Sequence, residues 1–241
     1  MVTKPKYTSQ PVLTVQVGYQ LDPGIRRKDR PNEDTLHVTQ GTMSAASPST
    51  SSIPYVLLLV ADGMGGQGHG QLASRLAVQS LVEYVSDSSK VQQRSPESLL
   101  SAGVQYANQV VYECNQQRQT VMGTTMTAAL LIGSSAYVSH VGDSRLYLYH
   151  QPAGLTQMTR DHSVVAELVA AGVIAPEGIY THPRRNEIIR CLGKNASVEV
   201  DVSVVQLADA FPDSRRRPDL RAVLHHALIA LRRMHQLPAF P

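Results

Sequence analysis

Apolar positions along the chain follow two periods, and the change from one to the other marks its elements. Residues 56–60 form an unbroken apolar run of Val and Leu, which predicts a strand buried on both faces. The run ends at Ala61-Asp62, so a carboxylate stands at the expected strand tip, and Gly63, Gly65, Gly66, Gly68 and Gly70 follow. The period then becomes helical, with Leu72, Leu76, Ala77, Leu81 and Val85 on one face. A second helix is expected from Ser95-Pro96-Glu97, a cap residue followed by proline at the first helical position, through Leu99, Leu100, Val104, Ala107 and Val111. Its apolar face suggests packing beside the first helix on one side of a sheet.

Short strands are expected elsewhere. Leu13, Val15 and Val17 alternate within residues 12–19, and Leu36 and Val38 begin a second strand. Residues 41–54, rich in Ser, Thr and Pro, read as a flexible hairpin loop, and residues 88–96 as a polar linker. Residues 122–132, 136–141 and 145–149 read as a three-strand meander, with Gly133-Ser134-Ser135 and Gly142-Asp143-Ser144 as its turns. Asp143 is thus a second carboxylate at a strand end, a common residue in turns. Residues 159–163 open a further helix that Gly172 closes; His162, at its start, is assigned no role. Residues 175–186 read as an exposed loop, and residues 188–192 and 198–207 as further β segments.

Composition changes this picture little. A chain of 241 residues is ample for one domain with a substantial core, and no apolar run reaches the length of a membrane span. The N-terminus has no apolar stretch behind its lysines, and the only cysteines, Cys114 and Cys191, lie outside metal-type spacing. Together these point to a cytoplasmic protein. Charge is more informative once located. The net charge of +3 belongs to residues 209–241, where six arginines face three aspartates, and the remainder is balanced. A nucleic-acid partner, which would call for a basic folded face, is therefore not expected, and neither is a membrane.

Two chemistries compete at the glycine-rich turn. Gly63, Gly65 and Gly68 fit a dinucleotide-binding spacing, with Glu83 downstream as the ribose acid. Against this, Glu83 falls inside the expected helix, and Asp62 would oppose a pyrophosphate. A carboxylate beside bare backbone suits a hard divalent cation, whose ligands are carboxylate and carbonyl oxygens. Upstream, Arg26, Arg27, Lys28 and Arg30 precede Asn32-Glu33-Asp34. The stretch reads either as a solvated charged loop or as a phosphate-binding arginine beside metal-binding acids.

Taken in order, these pieces resemble the PPM-type (type 2C) metal-dependent Ser/Thr protein phosphatases in their bacterial form. The matching segments are Asn32-Glu33-Asp34, VADGMGG at 60–66, MGTTMTAAL at 122–130, VGDSRLYLY at 141–149, LTQMTRDHS at 155–163 and HPRRNEIIRCLG at 182–193. The resemblance covers residues 12–207 and implies an α+β fold, an αββα sandwich of two mostly antiparallel sheets flanked by helices. It also implies two Mn²⁺ or Mg²⁺ ions, with a possible third. Asp62 would bridge the ions, the Gly63 carbonyl would bind one, and Glu33 and Asp34 would bind directly or through water. Asp143 matches a third-ion position, and Arg27, with Arg30 as its rival, would hold the phosphate. The implied reaction is attack on phosphorus by water that the ion pair acidifies, and the implied partners are phosphoserine and phosphothreonine proteins with a cognate Ser/Thr kinase.

Two departures stand out. Met64 occupies a position where some relatives carry a histidine suggested as general acid. The family also has a second Asp-Gly and an Asp-Asn toward its C-terminus; here Asp62-Gly63 is the sole Asp-Gly, and Asp-Asn does not occur. A truncated or altered family domain ending near residue 207, with an unrelated Arg-, His- and Pro-rich tail over 208–241, is therefore expected. A catalytically impaired pseudophosphatase that binds phosphoproteins is the alternative.

Overall fold

Strand β2 (Ile53–Met64) is the centre of the molecule. In this computed structural model, residues 17–21, 31–43, 53–150 and 154–207 are described. β2 pairs antiparallel on one side with β1 (Asp34–Met43) and on the other with β4 (Met126–Ile132). β5 (Ser135–Val141) and β8 (Asp201–Gln206) continue the sheet in the order β1-β2-β4-β5-β8, and the short β3 (Gly123–Thr124) pairs with the end of β2. Every pairing is antiparallel.

The apolar run is buried on both faces, as its composition requires. Leu57, Leu59 and Ala61 join Ala128 and Leu130 under the helices α1 (His69–Ser86) and α3 (Pro96–Arg118), with Leu81, Leu100 and Val104 from the helical side. Val56 and Leu58 point the other way, toward Ala129, Val138, Leu146 and Leu148. That second face meets a separate two-stranded sheet of β6 (Tyr147–His150) and β7 (Gly154–Gln157). The α+β class, the antiparallel main sheet and the paired helices on one side agree with the sequence reading.

α1 and α3 approach closely because α3 carries Gly103 at the crossing. A Cβ there would lie 2.6 Å from Leu81 Cδ1. Ser95 caps α3 as expected, its hydroxyl accepting from the Ser98 amide at 3.3 Å.

Several boundaries differ from the sequence reading. β2 runs on through Met64, so Asp62 sits inside the strand rather than at its tip, because β3 extends the pairing to Gly63 and Met64. The strands bordering the expected 41–54 loop reach Met43 and Ile53, which leaves 44–52 outside the described residues. The polar linker contains a helix, α2 (Ser88–Gln93), whose cap is the Asp87 carboxylate accepting from the Ser89 amide at 3.0 Å. The three-strand meander does not form: β6 pairs with β7, not with β5, so 142–144 is a crossing between sheets and not a hairpin turn. Residues 188–192 contribute only isolated bridges, Ser163 to Ile188 and Thr124 to Leu192. Residues 17–21 belong to no regular element, and the rest of the expected first strand and the 208–241 tail lie outside the described residues. A further helix, α4 (Val164–Ala170), is capped by Ser163. No helix among the described residues is long and apolar enough to cross a membrane.

Leu100 is fully buried between the helices and the sheet. Leu100→Ala is expected to lower unfolding free energy by about 2–5 kcal/mol through lost transfer energy and a residual cavity. Urea denaturation with an unchanged m-value checks this.

Candidate metal centre

The ladder between β1 and β2 sets Asp34 directly opposite Asp62. Cross-strand partners share a face, so both carboxylates leave the sheet on the side that meets β6 and β7. Asp62 is buried at 7% exposure. Its amide donates to Thr125 Oγ1 at 2.9 Å, and its carbonyl accepts from the Thr124 hydroxyl and the Thr125 amide, each at 3.0 Å. Asp62 is thus held at both its amide and its carbonyl by Thr124 and Thr125.

Glu33 is fixed through its backbone. Its carbonyl accepts from the Gly63 amide at 3.1 Å and from the Ser74 hydroxyl at 2.6 Å. The Asn32 side chain accepts from the Asp34 amide at 3.1 Å, and Gln71 donates to the Asn32 carbonyl at 3.2 Å. Asn32-Glu33-Asp34 is therefore a fixed segment docked on the start of α1, not a solvated loop. Gly63 is required by space: a Cβ would stand 2.0 Å from the Gly70 carbonyl oxygen. At Gly70 a Cβ would meet Glu33 Oε1 at 2.7 Å, so the Glu33 side chain lies over that glycine.

Ser144, the neighbour of Asp143, is tied to this region by Thr125, whose hydroxyl is 2.7 Å from Ser144 Oγ as well as bonded to the Asp62 amide. Gly142, before it, has φ +110°, a backbone that favours glycine. Arg27 lies outside the described residues, as does its rival Arg30. Among the described residues, no three His, Cys, Asp or Glu side chains converge as a ready metal cluster. The donor type does fit a hard divalent cation: Glu33, Asp34, Asp62 and Gly63 offer only carboxylate and carbonyl oxygen, at one end of one strand pair. The dinucleotide alternative does not fit, because β2 has antiparallel neighbours on both sides, where a dinucleotide fold needs a parallel βαβ unit.

A second polar group lies on the same face, and sequence reasoning missed it. His162, buried, contacts Asp201 at 3.0 Å and packs against His140 with ring centroids 4.8 Å apart. Arg190 bonds Asp201 at 2.6 Å and Glu199 at 2.9 Å. Burial opposes ionisation of Asp201, but hydrogen bonds from His162 and Arg190 outweigh it and hold the carboxyl below its ordinary value. Nearby, Arg145 forks onto Asp161, with distances of 2.6–3.0 Å. The partners are 9 to 39 residues apart, so no local spacing in the sequence could have shown the group.

These structural features define a class, an antiparallel α+β protein with oxygen donors gathered at one end of its sheet, and comparison with known proteins gives the family. A family model described as protein phosphatase 2C matches residues 24–169. The serine/threonine phosphatase stp of Listeria monocytogenes serotype 4b (strain F2365) is 38% identical over 152 residues, covering 62% of this chain and 60% of that protein. The crystal structure of the serine/threonine phosphatase Stp1 from Staphylococcus aureus superposes with a TM-score of 0.64 at 28% identity, over 85% of this chain and 76% of that one. The catalytic domain of the serine/threonine protein phosphatase PstP, solved in complex with two manganese ions, gives 0.56 at 29% identity, over 73% and 66%. The chain belongs to the protein phosphatase 2C family. It spans about 60% of the length of the curated relatives it matches.

His140 carries a pH dependence. Burial, assisted by the neighbouring His162, pushes its pKa from the ordinary 6.5 down to about 4. The unfolded chain therefore takes up this proton first as pH falls. The contribution of neutral His140 is complete above pH 6.5 and is lost progressively toward pH 4, by about 3 kcal/mol in all. Urea unfolding across that window should show a steeper loss in the wild type than in His140→Gln.

Proposed function

We propose that the chain is a metal-dependent protein Ser/Thr phosphatase that hydrolyses phosphoserine and phosphothreonine in proteins, opposing a cognate Ser/Thr kinase in the cytoplasm. The observation that carries this is the pairing of Asp34 with Asp62 across β1 and β2, beside Gly63, in a chain of this family. Family membership supports Mn²⁺ or Mg²⁺ as the cofactor. Glu33, Asp34, Asp62 and the Gly63 carbonyl would hold two ions, and Asp143 would serve a third. Bound divalent cations acidify water at neutral pH and neutralise phosphoryl charge.

The chain's own residues position that chemistry. Thr124 and Thr125 anchor the Asp62 peptide, and Ser74 and Gly63 fix Glu33. In this reading Arg27 orients the phosphate through two parallel hydrogen bonds. Met64 lies at the end of β2 and has no proton to give, so the leaving oxygen takes its proton from solvent. The family domain is read as extending over residues 12–207, with 208–241 as a separate tail.

A binding module without turnover is the second reading. Its support is the absence of a ready three-ligand cluster among the described residues, together with the lack of Asp-Asn and of a second Asp-Gly in the sequence.

Purified full-length protein is expected to hydrolyse a phosphothreonine peptide with Mn²⁺, and to stop with EDTA. Asp62→Ala should lower turnover by on the order of 10²-fold or more, since it removes charge that holds the ions. Folded wild-type protein no more active than Asp62→Ala would establish the binding-module reading instead.

A further inference from the structure

We infer that His162, held in one tautomer by Asp201, is a positioning residue for the Gly142–Ser144 turn and through it for Asp143. The assignment of Asp143 to a cation rests on the function proposed above; the hydrogen-bond relay does not.

The relay follows from which groups can only donate. The Gly142 amide donates to His162 Nδ1 at 3.0 Å, and the His162 amide returns a bond to the Gly142 carbonyl at 2.8 Å. A backbone amide has no lone pair to offer, so Nδ1 must be bare. The ring proton is then on Nε2, which lies 3.0 Å from Asp201 Oδ2 and donates to it. Arg190 Nη1 sits 2.6 Å from Asp201 Oδ1 and 3.0 Å from His162 Nε2. Guanidinium and Nε2–H are both donors, so the carboxylate between them holds them together.

The opposite side of the turn is equally constrained. A Cβ at Gly142 would come within 2.5 Å of Thr125 Cγ2, so the turn already rests against that side chain. Thr125 Oγ1 meets Ser144 Oγ at 2.7 Å, and Thr127 Oγ1 lies 2.9 Å from the Ser144 carbonyl. Farther along, Arg145 is tied to Asp161, the residue before His162. Asp143 therefore sits in a turn gripped by Thr125 and Thr127 on one side and by the imidazole on the other. Of these grips, the ring is the one oriented by Asp201.

Asp201→Asn separates this relay from simple packing. Arg190 can only donate, so the amide must turn its oxygen to Arg190 and its NH₂ to His162. That forces the ring proton onto Nδ1, against the Gly142 amide. The experiment is ring ¹⁵N NMR and amide hydrogen exchange on the full, metal-free chain. The wild type should show His162 protonated at Nε2 alone, and Asp201→Asn should move the proton to Nδ1 and cut protection of the Gly142 amide by about tenfold or more. His162→Asn keeps an acceptor near the Nδ1 position and should retain that protection, whereas His162→Gln should lose it. Wild-type His162 protonated at Nδ1 overturns the inference. So does an unchanged tautomer in Asp201→Asn, or equal Gly142 exchange in the two His162 variants. With Mn²⁺ and a phosphothreonine peptide, Asp201→Asn should reduce kcat by about 10–100-fold while KM stays within about twofold; wild-type kcat in this variant overturns the link to Asp143. Wild-type protein without turnover would count against the phosphatase reading, and the metal-free arm would still decide the relay.

Discussion

The placement of the acids depends on one backbone contact that tolerates no side chain. At Gly63 a Cβ would stand 2.0 Å from the Gly70 carbonyl oxygen and 2.7 Å from that of Glu33. Strand β2 therefore meets both the first turn of α1 and the segment before β1 backbone to backbone. The Gly63 amide donates to Glu33, which fixes where β1 begins, and the register of β1 against β2 then places Asp34 opposite Asp62. A larger residue at Gly63 would have to push away the helix start or the acidic segment. The core under α1 and α3 sets where the helix can lie, so the contact is held from both directions.

The sheet divides its two faces differently. The face under the helices is apolar through β2 and β4, where burial stabilises it, and carries Thr35, His37 and Thr39 along β1 and Ser139 on β5. The opposite face is apolar through Val56, Leu58, Ala129 and Val138. It then turns polar along a row that the register defines: Asp34 beside Asp62, Thr127 beside His140, and His140 beside Asp201. Polar groups at this depth must be satisfied, because an unpaired one costs on the order of 1–3 kcal/mol. Thr125 meets the Asp62 amide, His140 takes Thr127 and the Arg160 carbonyl, and His162 takes Gly142 and Asp201. The row makes the polar end of the face a connected structure in which moving one member disturbs the next.

The parts legible in the sequence were those with local signals. The buried run at 56–60, the capped α3 and the glycines after Asp62 each announce themselves within a few residues, and the ordered motifs led to the right family. Asp87 was a signal overlooked: it caps α2, but Ser-Ser-Lys-Val-Gln-Gln has no apolar period to suggest a helix. Gly142-Asp143-Ser144 has turn composition, which suggests β6 as the third strand of a meander. Composition cannot tell a hairpin from a crossing between sheets, and here the chain leaves the main sheet to pair with β7. No local signal marks His162, because its partners Asp201 and Arg190 come near only in the fold.

The acid pair also bears on why site and fold belong together. Two carboxylates placed directly opposite in an antiparallel ladder repel each other, and Asp62 is largely withdrawn from the water that would screen it. A sequence selected only for stability would put a neutral or opposite-charge partner there. The fold instead fixes the pair with backbone hydrogen bonds on both strands and a glycine that admits no alternative packing. Such bracing suits the proposed cation site, where a divalent ion between the acids would turn their repulsion into attraction for a shared centre. The bracing comes from β1, β2, β3, α1 and the residues flanking β1 and β3, all within residues 31–125. In the proposed phosphatase this strand pair would supply the rigid half of the ligand set, against which further oxygens and the phosphate are aligned.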